Sequence, residues 1–396
     1  SVGMSSERLS RLHDAMQSLV DEGRLAGITT MIARHGKVAD FQTFGHRDID
    51  AGDAMAEDAI FRIYSMSKPI TGVALMMLYE EGKFRLNDPV ARYIPELADM
   101  KVAASWGADG PVLEDADHAM TIRELMTHTA GFPYGIGDPH PADSAYAAER
   151  VLAWDQTLED MIHKLAALPL REQPGTRWIY SVAVDVQGYL VEVLSGQPFD
   201  AFLQERIFDP LGMVDTGFHV PAEDHDRFAQ LYGYDGDGAL VAPSAPDAAV
   251  GSRPFLDPTT FFSGGGGLVS TTMDYMRFCQ MLLNGGELDG VRILSPTTVR
   301  MMALNQLPAA VGEYAPGLGF GLDFSVVLDP VEAGSVSPGE YSWGGAAGTW
   351  FWIDPVEDLV FVGMIQQFGG RRPDVRSLSH RLTYQAITES TGGRGS

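Results

Sequence analysis

The chain contains a single cysteine, Cys279, so it cannot form an internal disulfide. This residue lies in an apolar stretch, residues 276–283, whose spacing predicts a helix with an inert, buried thiol. The ten histidines include no His-Glu-x-x-His sequence and there are no paired cysteines, so zinc is not expected. We therefore expect neither a metal nor a cofactor.

Basic residues are scarce. The chain has 28 lysines and arginines against 53 aspartates and glutamates, which gives a net charge of −25. No cluster of lysine and arginine stands out, which disfavours nucleic acid and anionic lipid surfaces as partners. The excess of acidic groups is interpreted as an aid to solubility.

Long hydrophobic runs are also lacking. No segment reaches the roughly 18 consecutive apolar residues that indicate a transmembrane helix. The first four residues show no basic-then-apolar signal pattern. The expectation is a cytoplasmic protein, or a periplasmic or secreted one if a signal peptide has been removed. No Gly-x-Ser-x-Gly sequence occurs, which argues against an α/β-hydrolase.

Hydrophobic residues are plentiful, at 45% of 396, which suffices for two domains or for one large domain with an insertion. Strand-like runs lie near both ends of the chain: 27–34, 38–44, 349–353 and 359–365. Helical patterns flank and separate them: residues 9–20, 181–194, 271–283 and 373–389, and segments capped by Thr121 and Thr157.

This layout predicts an α/β (α+β) fold, with one sheet built from both termini, flanked by helices, and an inserted, mainly helical region. Residues 1–85 and 290–396 are assigned to the sheet domain, with parts of 165–235 packing on it. Residues 86–289 are assigned to the helical region. The active site is expected in the cleft between the two.

The strongest motif is Ser-x-x-Lys, formed by Ser65 and Lys68 directly before an apolar helix predicted over 70–79. Residues three apart share one helix face, so Lys68 can reach the Ser65 hydroxyl. Backbone N–H groups at a helix N-terminus also favour a developing anion. Ser67 is a rival nucleophile, but Ile70 stands three residues after it and offers no base. The alternative is a capping serine beside a solvated lysine; the apolar flanks count against it.

Two further motifs follow along the chain. Tyr180 begins a Tyr-Ser-Val sequence before a helix, and residues 343–346 form Trp-Gly-Gly-Ala before a strand rich in aromatics. In order and separation, the three motifs resemble those of the serine β-lactamase and penicillin-binding-protein superfamily. More closely, the chain resembles the family VIII carboxylesterases, which are related to class C β-lactamases. The resemblance covers residues 9–382 and includes the sequence segments 125–131 and 264–271.

The resemblance implies a β-lactamase-like fold with an antiparallel sheet, and a role for each matching residue. Ser65 is the acylated nucleophile, and Lys68 and Tyr180 relay its proton. The backbone N–H groups of Ser65 and Ala346 form the oxyanion hole, and Trp343 lines the acyl or leaving-group pocket. The side chains of free lysine and tyrosine both have a pKa of about 10, so either one acts as a base at neutral pH only if the other perturbs its pKa. Which of the two holds the proton is left open.

Three positions depart from the β-lactamase pattern. Trp343 and Gly344 replace the Lys and Thr of the family's Lys-Thr-Gly triad, and Val182 replaces the Asn of Tyr-x-Asn. In the family, those groups meet the substrate's carboxylate and amide, so their loss favours an uncharged ester. The expected substrate-binding residues are Trp343, Gly344, Gly345, Tyr134 and Val182.

We therefore predict a serine carboxylesterase that hydrolyses short-chain, uncharged esters, with small molecules as its partners. The alternatives are an acyltransferase on the same scaffold, a β-lactamase or D,D-peptidase, and a non-catalytic penicillin-binding-like protein. His128 suggests a Ser-His-Asp triad, but a structural role is preferred because Lys68 and Tyr180 already act as the base. The four glycines at 264–267 are interpreted as a tight backbone passage beside the cleft, since no Lys-Ser/Thr follows them.

Overall fold

The structure is a computed structural model that describes residues 2–108, 110–137, 139–243 and 255–391. It has strands near both ends of the chain and helices between them. The strands are Gly27–Arg34 (β1), Lys37–Asp48 (β2), Asp53–Ala54 (β3), Ile60–Arg62 (β4), Lys101–Gly107 (β5), Gly110–Asp115 (β6), Gly233–Tyr234 (β7), Leu240–Val241 (β8), Val269–Thr271 (β9), Glu287–Leu288 (β10), Val291–Arg292 (β11), Leu318–Phe320 (β12), Ser325–Val327 (β13), Tyr341–Gly344 (β14), Trp350–Asp354 (β15) and Leu359–Met364 (β16). The helices are Ser6–Asp21 (α1), Ser67–Glu80 (α2), Ile122–Met126 (α3), Pro141–Ala148 (α4), Leu158–Ala166 (α5), Ala183–Ser195 (α6), Phe199–Leu203 (α7), Asp209–Leu211 (α8), Thr272–Leu283 (α9), Pro296–Met302 (α10), Pro330–Ala333 (α11) and Val375–Tyr384 (α12).

The central sheet joins the two ends of the chain. It has eight strands in the order β12-β13-β14-β15-β16-β1-β2-β3, and every neighbouring pair is antiparallel. β1 pairs with β16, so that Ile32 lies opposite Phe361. The predicted antiparallel sheet built from both termini is therefore confirmed.

The hairpin between β1 and β2 turns at His35 and Gly36, between the two strand-like runs predicted at 27–34 and 38–44. His35 and Gly36 both have positive φ angles, 52° and 67°. Positive φ at both central residues is what a type I′ turn requires, and this turn matches the twist of the flanking strands. Arg34 and Lys37 pair directly on either side of it.

Helices cover both faces of the sheet. On one face α1 and α12 cover the buried side chains of Trp350, Trp352 and Phe361, and the Trp352 and Phe361 rings stack with centroids 4.1 Å apart. On the other face α9 packs against β1 and β16. Cys279 lies in α9, where burial raises the pKa of its thiol, in agreement with the inert cysteine that was predicted.

The observed elements differ from the predicted ones in three places. α12 ends at Tyr384, not at 389, because the following residues pair with the N-terminal segment: the Thr388 N–H donates to the Gly3 carbonyl at 2.8 Å. The hairpin of β5 and β6 lies in the region expected to be mainly helical. Strands β12 to β14 have only three or four residues each, too few for a visible alternation.

The helices of the middle region do not all lie apart from the sheet. α9 falls within 86–289 by sequence, yet it packs on the central sheet. The division into 1–85 with 290–396 and 86–289 stays a prediction. Across the described ranges, the helices are too short or too polar to cross a bilayer.

A short strand pairing brings two loops together. β4 pairs with β9, with Arg62 opposite Val269. The chain leaving β4 enters a 3-10 turn, Tyr64–Met66, and the chain entering β9 carries the glycines at 264–267. In an antiparallel pair the end of one strand lies beside the start of the other. The turn that contains Ser65 and the glycine run therefore lie side by side.

Arg34 forms hydrogen bonds to residues near both ends of the chain, and its substitution tests how much they stabilise the fold. It is fully buried, and its guanidinium donates to the Glu357 carboxylate at 2.8 Å and to the Val2 and Glu389 carbonyls. Arg34→Met removes the cation that faces the largely buried Glu357 carboxylate, so we expect the free energy of unfolding to fall by about 3–5 kcal/mol. Urea denaturation measures the change, with Lys37→Met at an exposed position as the control. Equal effects of the two substitutions would contradict this role.

Candidate active site

Ser65 stands in the 3-10 turn Tyr64–Met66, just ahead of α2. Tyr64 has a positive φ of 41°, an uncommon conformation for a residue with a side chain. Lys68, in the first turn of α2, reaches back, and its Nζ donates to Ser65 Oγ at 3.2 Å. The contact expected from the Ser-x-x-Lys spacing is thus present.

The ammonium of Lys68 is buried and has three acceptors. The residue is 1% exposed. Its Nζ donates to the Gly265 carbonyl at 2.6 Å, to Ser65 Oγ at 3.2 Å and to the Tyr134 hydroxyl at 3.3 Å. A lysine ammonium has three N–H donors, so each donor has an acceptor. Nζ also lies 4.6 Å from the ring centroid of Tyr180.

The surroundings favour a charged Lys68. Burial alone lowers the pKa of the Lys68 amine, but the neighbouring Tyr134 and Tyr180, together with Asp185, outweigh burial and raise this pKa above its usual value. Burial raises the pKa of Tyr134 to about 12. At neutral pH, Lys68 therefore carries its positive charge and Tyr134 keeps its proton.

Tyr180 precedes α6 and is surrounded by aromatic rings. Its ring centroid lies 4.9 Å from that of His128, 5.1 Å from that of Tyr134 and 5.5 Å from that of Trp343. The Trp343 indole N–H donates to the Tyr180 hydroxyl at 3.4 Å. Because Trp343 lies on β14, the central sheet positions this donor. Residues from the three sequence motifs thus come together.

His128 packs against Tyr180 and bonds elsewhere. It is 1% exposed, and its Nδ1 lies 2.9 Å from Ser181 Oγ. Burial lowers the pKa of its imidazole well below the usual value, and the charge of Lys68 lowers it further. The ring is therefore neutral at physiological pH. These contacts agree with the structural role that the sequence predicts.

A cavity of about 540 Å³ opens over Ser65. Four of the predicted site residues line it: Ser65, Tyr134, Tyr180 and Ala346. Apolar and aromatic side chains line it as well: Ile136, Leu152, Trp154 and Trp178. A largely apolar cavity with a few convergent polar groups is typical of a small-molecule site.

The charged residues around this cavity are engaged in ion pairs. Asp143 accepts from Arg171 at 2.9 Å, and both side chains are largely buried. Arg177 donates to Glu172 at 3.0 Å nearer the surface. A ligand that enters the cavity therefore meets paired charges.

The other predicted substrate-binding residues contribute differently. Within the described residues, the cavity lining includes none of Val182, Gly344, Gly345 and Trp343. Val182 is fully buried in the core, whereas Trp343 contacts Tyr180. Gly344 and Gly345 line a second cavity of about 290 Å³. A Cβ on Gly345 would collide with the Ile63 carbonyl, so glycine lets this turn pass close to the segment before Ser65.

Ser65 and Ala346 both line the cavity, as an oxyanion hole formed by their N–H groups requires. Ala346 lies in the turn after β14, and the Gly348 N–H donates across that turn to the Gly345 carbonyl at 3.0 Å. The Arg372 guanidinium donates to the Ala346 carbonyl at 2.9 Å. These bonds hold the turn in place, and the oxyanion hole itself stays a prediction.

Sequence reasoning missed Asp185, Ser263 and the carbonyl of Gly265, which lie behind Lys68. Asp185 Oδ1 accepts from the Ser263 hydroxyl at 2.5 Å and from the Gly265 N–H at 3.1 Å. One signal was a lone carboxylate in the apolar first turn of α6. The other was the glycine run, whose predicted tight passage is confirmed: a Cβ on Gly264 would lie 2.6 Å from the Val184 carbonyl.

Known proteins are similar to this chain in sequence and in fold over most of their length. A sequence model of the family described as Beta-lactamase matches residues 12–385. Protein Rv1367c of Mycobacterium tuberculosis is 40% identical over 365 residues, 89% of this chain and 88% of that protein. Esterase EstB of Burkholderia gladioli is 33% identical over 358 residues, 86% of each chain. The solved structure of EstCE1, "a hydrolase with promiscuous acyltransferase activity", has a TM-score of 0.80 at 27% identity and covers 97% of this chain and 99% of its own.

The geometry predicts that Ser65, and not Ser67, reacts with electrophiles. Ser67 is fully buried, and its Oγ accepts the Leu268 N–H at 3.1 Å. A fluorophosphonate should label the wild-type chain and Ser67→Ala once, and should leave Ser65→Ala unlabelled, as read by intact mass. Ser67→Ala removes the acceptor of a buried N–H and should lower the free energy of unfolding by about 1–3 kcal/mol. An adduct mapped to Ser67 or Ser181 would show that the nucleophile is misassigned.

Proposed function

Because the chain belongs to the beta-lactamase family of serine hydrolases, we propose that it is a carboxylesterase of the family VIII type. It acts on short-chain, uncharged esters through an acyl-enzyme on Ser65. The observation that carries this proposal is the Ser65 hydroxyl held by the buried, charged Lys68 beneath a largely apolar cavity. The likeness to esterase EstB supports the same reaction class.

Acylation needs a base for the Ser65 proton. Because the Lys68 ammonium has no lone pair to accept it, we assign this proton to the oxygen of Tyr180, a transfer that requires Tyr180 in its phenolate form. Lys68 and the Trp343 indole N–H lie beside the oxygens that bear negative charge during this transfer, and both stabilise it. Ser65 Oγ forms a bond to the ester carbonyl carbon, and the π electrons of the C=O bond move to its oxygen. The resulting oxyanion accepts hydrogen bonds from the backbone N–H groups of Ser65 and Ala346.

Collapse of this intermediate breaks the ester C–O bond. The alcohol leaves with the proton that Tyr180 returns, and the acyl group stays on Ser65. A water molecule then takes the alcohol's place and gives its proton to Tyr180 as its oxygen attacks the acyl carbon. Ser65 departs with that proton, so the acid is released and the site returns to its starting protonation state.

The preference for an uncharged substrate follows from the charges around the cavity. All three Lys68 donors point to neutral oxygens, and Arg171 and Arg177 face carboxylates. The indole of Trp343 stands where the related β-lactamases have a lysine. A buried carboxylate without a partner is costly, so an ester with neutral acyl and alcohol groups suits the site better than an anionic β-lactam.

Acyl transfer to an alcohol is the second candidate function. The cavity volume of about 540 Å³ falls in the range of drug-binding sites. It exceeds the volume that a short acyl chain and one water molecule occupy. An alcohol therefore fits beside the acyl-enzyme and competes with water. Transfer activity in EstCE1 supports this candidate. The ratio of ester to acid formed in water–butanol mixtures measures it.

Lys68 and Tyr180 should act as one unit. Lys68→Ala and Tyr180→Phe should each lower kcat for p-nitrophenyl butyrate by about 10²–10⁴-fold, the usual weight of a positioned acid or base. The double variant should be little worse than the worse single variant, because each residue works through the other. Multiplying losses would mean that the two act independently, and the relay would then be wrong.

The unmodified protein should prefer a neutral ester to a penicillin. We expect kcat/KM for p-nitrophenyl butyrate to exceed that for benzylpenicillin by at least about 100-fold, since loss of charge-assisted contacts costs about 1.5–3 kcal/mol each. Trp343→Lys should lower ester turnover without creating an efficient β-lactamase, because Gly344 and Val182 remain. Trp343→Phe is its matched control and keeps an aromatic ring but loses the N–H.

The comparison also separates the remaining alternatives. Efficient penicillin hydrolysis with weak butyrate turnover would favour a β-lactamase or D,D-peptidase and overturn the esterase proposal. No acyl adduct and no turnover of either substrate would favour a non-catalytic penicillin-binding-like protein.

A further inference from the structure

Asp185 is a buried carboxylate outside the nucleophile and its proton relay. It lies in the first turn of α6 and is 1% exposed. Its Oδ1 accepts the Ser263 hydroxyl and the Gly265 N–H, both from one loop. A carboxylate near a helix N-terminus is favoured by the helix dipole alone. Both bonds leave the helix, however, so the dipole does not account for them.

The loop that Asp185 holds is the loop that anchors Lys68. The Gly265 carbonyl accepts from Lys68 at 2.6 Å, the shortest of the three hydrogen bonds of that ammonium. The Thr71 hydroxyl, farther along α2, donates to the adjacent Gly264 carbonyl at 2.9 Å. The loop is therefore bonded to α6 on one side and to α2 on the other.

Close packing makes the position of this loop sensitive to Asp185. A Cβ on Gly265 would lie 2.7 Å from Asp185 Oδ2, so the backbone passes directly against the carboxylate. The two contacts of Gly265 lie on the adjacent peptide units that meet at its Cα: its N–H donates to Asp185 and its carbonyl accepts from Lys68. Rotation of the backbone at Gly265 moves its carbonyl away from the ammonium.

We propose that Asp185 is a positioning residue that acts through the Gly265 carbonyl to hold the Lys68 ammonium against Ser65. The inference rests on the proposed function, in which a charged Lys68 assists Ser65. With the carbonyl in place, one N–H of the ammonium is fixed and the other two point to Ser65 and Tyr134. Without Asp185 the ammonium loses an acceptor and its orientation together.

Titratable groups on several elements face Lys68: Tyr134, Tyr180, His128, Asp185 and Asp323. Asp323 supplies a matched control. It is 1% exposed, like Asp185, and the charge of Lys68 acts to lower the pKa of its carboxyl. Its carboxylate, however, accepts a hydrogen bond from Gln187 and not from the loop that contains Gly265. Asp323→Asn therefore removes a buried carboxyl near Lys68 and leaves the loop contacts intact.

The test is the rate at which a fluorophosphonate modifies Ser65, followed by intact mass from about pH 6 to about pH 11. Asp185→Ala should lower the rate about 10- to 100-fold, the usual weight of hydrogen bonds to charged groups. It should also bring a fall at alkaline pH, because the unanchored ammonium loses its proton at a lower pH. The raised pKa of Lys68 keeps the wild-type rate up beyond the usual lysine value of about 10.4.

Asp185→Asn keeps an acceptor oxygen for Ser263 and Gly265, so its rate at neutral pH should stay within about three-fold of wild type. Its alkaline fall should be smaller than that of Asp185→Ala, because it loses the charge of Asp185 but keeps the loop contact. Asp323→Asn should behave likewise. Wild-type rates and profile in Asp185→Ala would overturn the positioning role. Equal losses in Asp185→Asn and Asp185→Ala would overturn it too, since charge and not the loop contact would then act.

Two further outcomes are kept distinct. If the reagent leaves wild-type Ser65 unmodified, the proposed function itself fails and the inference fails with it. If thermal melting shows that Asp185→Ala does not fold, Ser263→Ala removes one of the two bonds and must show the same alkaline fall in smaller measure. A wild-type profile in Ser263→Ala then overturns the proposal.

Discussion

The ammonium of Lys68 is the group on which this site depends, because the cost of burying a charge must be offset by its surroundings. Removing an ion from water costs several kcal/mol even in a relaxed protein. Here three oxygens from separate segments meet that cost: Ser65 from the turn before α2, Tyr134 from the loop before α4, and Gly265 from the loop before β9. A displacement of any one leaves a donor unmatched in a buried place. The charge therefore constrains the relative positions of all three segments.

The fold meets this constraint through the burial and strand pairing of the surrounding elements. Every residue of α2 from Ser67 to Leu78 is buried, so Lys68 has no path to solvent along its own helix. The pairing of β4 with β9 aligns the serine turn with the glycine run. The central sheet adds Trp343 from β14, opposite Phe351 of β15. The two ends of the chain thus build the framework for chemistry whose parts come from the beginning, middle and end of the sequence.

Much of this arrangement was predictable, and the division between what was and what was not has a physical basis. Contacts within a helical turn follow directly from residue spacing, which is why the spacing of Ser65 and Lys68 indicated their hydrogen bond. Tyr180 and Trp343 required a resemblance to known proteins, because their approach depends on tertiary packing. The hydrogen bond from Lys68 to the Gly265 carbonyl could not be predicted from the sequence, because every residue type has a backbone carbonyl. The short strands β12 to β14 derive their stability from neighbouring strands, so their own sequences carry little pattern.

The proposed preference for a neutral ester rests on the same pairing of charges that surrounds Ser65. A β-lactamase needs a cation with a donor to spare for the substrate carboxylate. Behind Ser65 the three Lys68 donors are used by neutral oxygens, and the arginines that line the cavity pair with Asp143 and Glu172. An anionic substrate would have to compete for these arginines with the carboxylates that already pair with them. A neutral ester requires no such exchange: it needs only apolar surface for its chains and two N–H groups for its carbonyl oxygen. The proposed selectivity for neutral esters therefore rests on the pairing of the charges around the cavity as much as on the shape of the cavity.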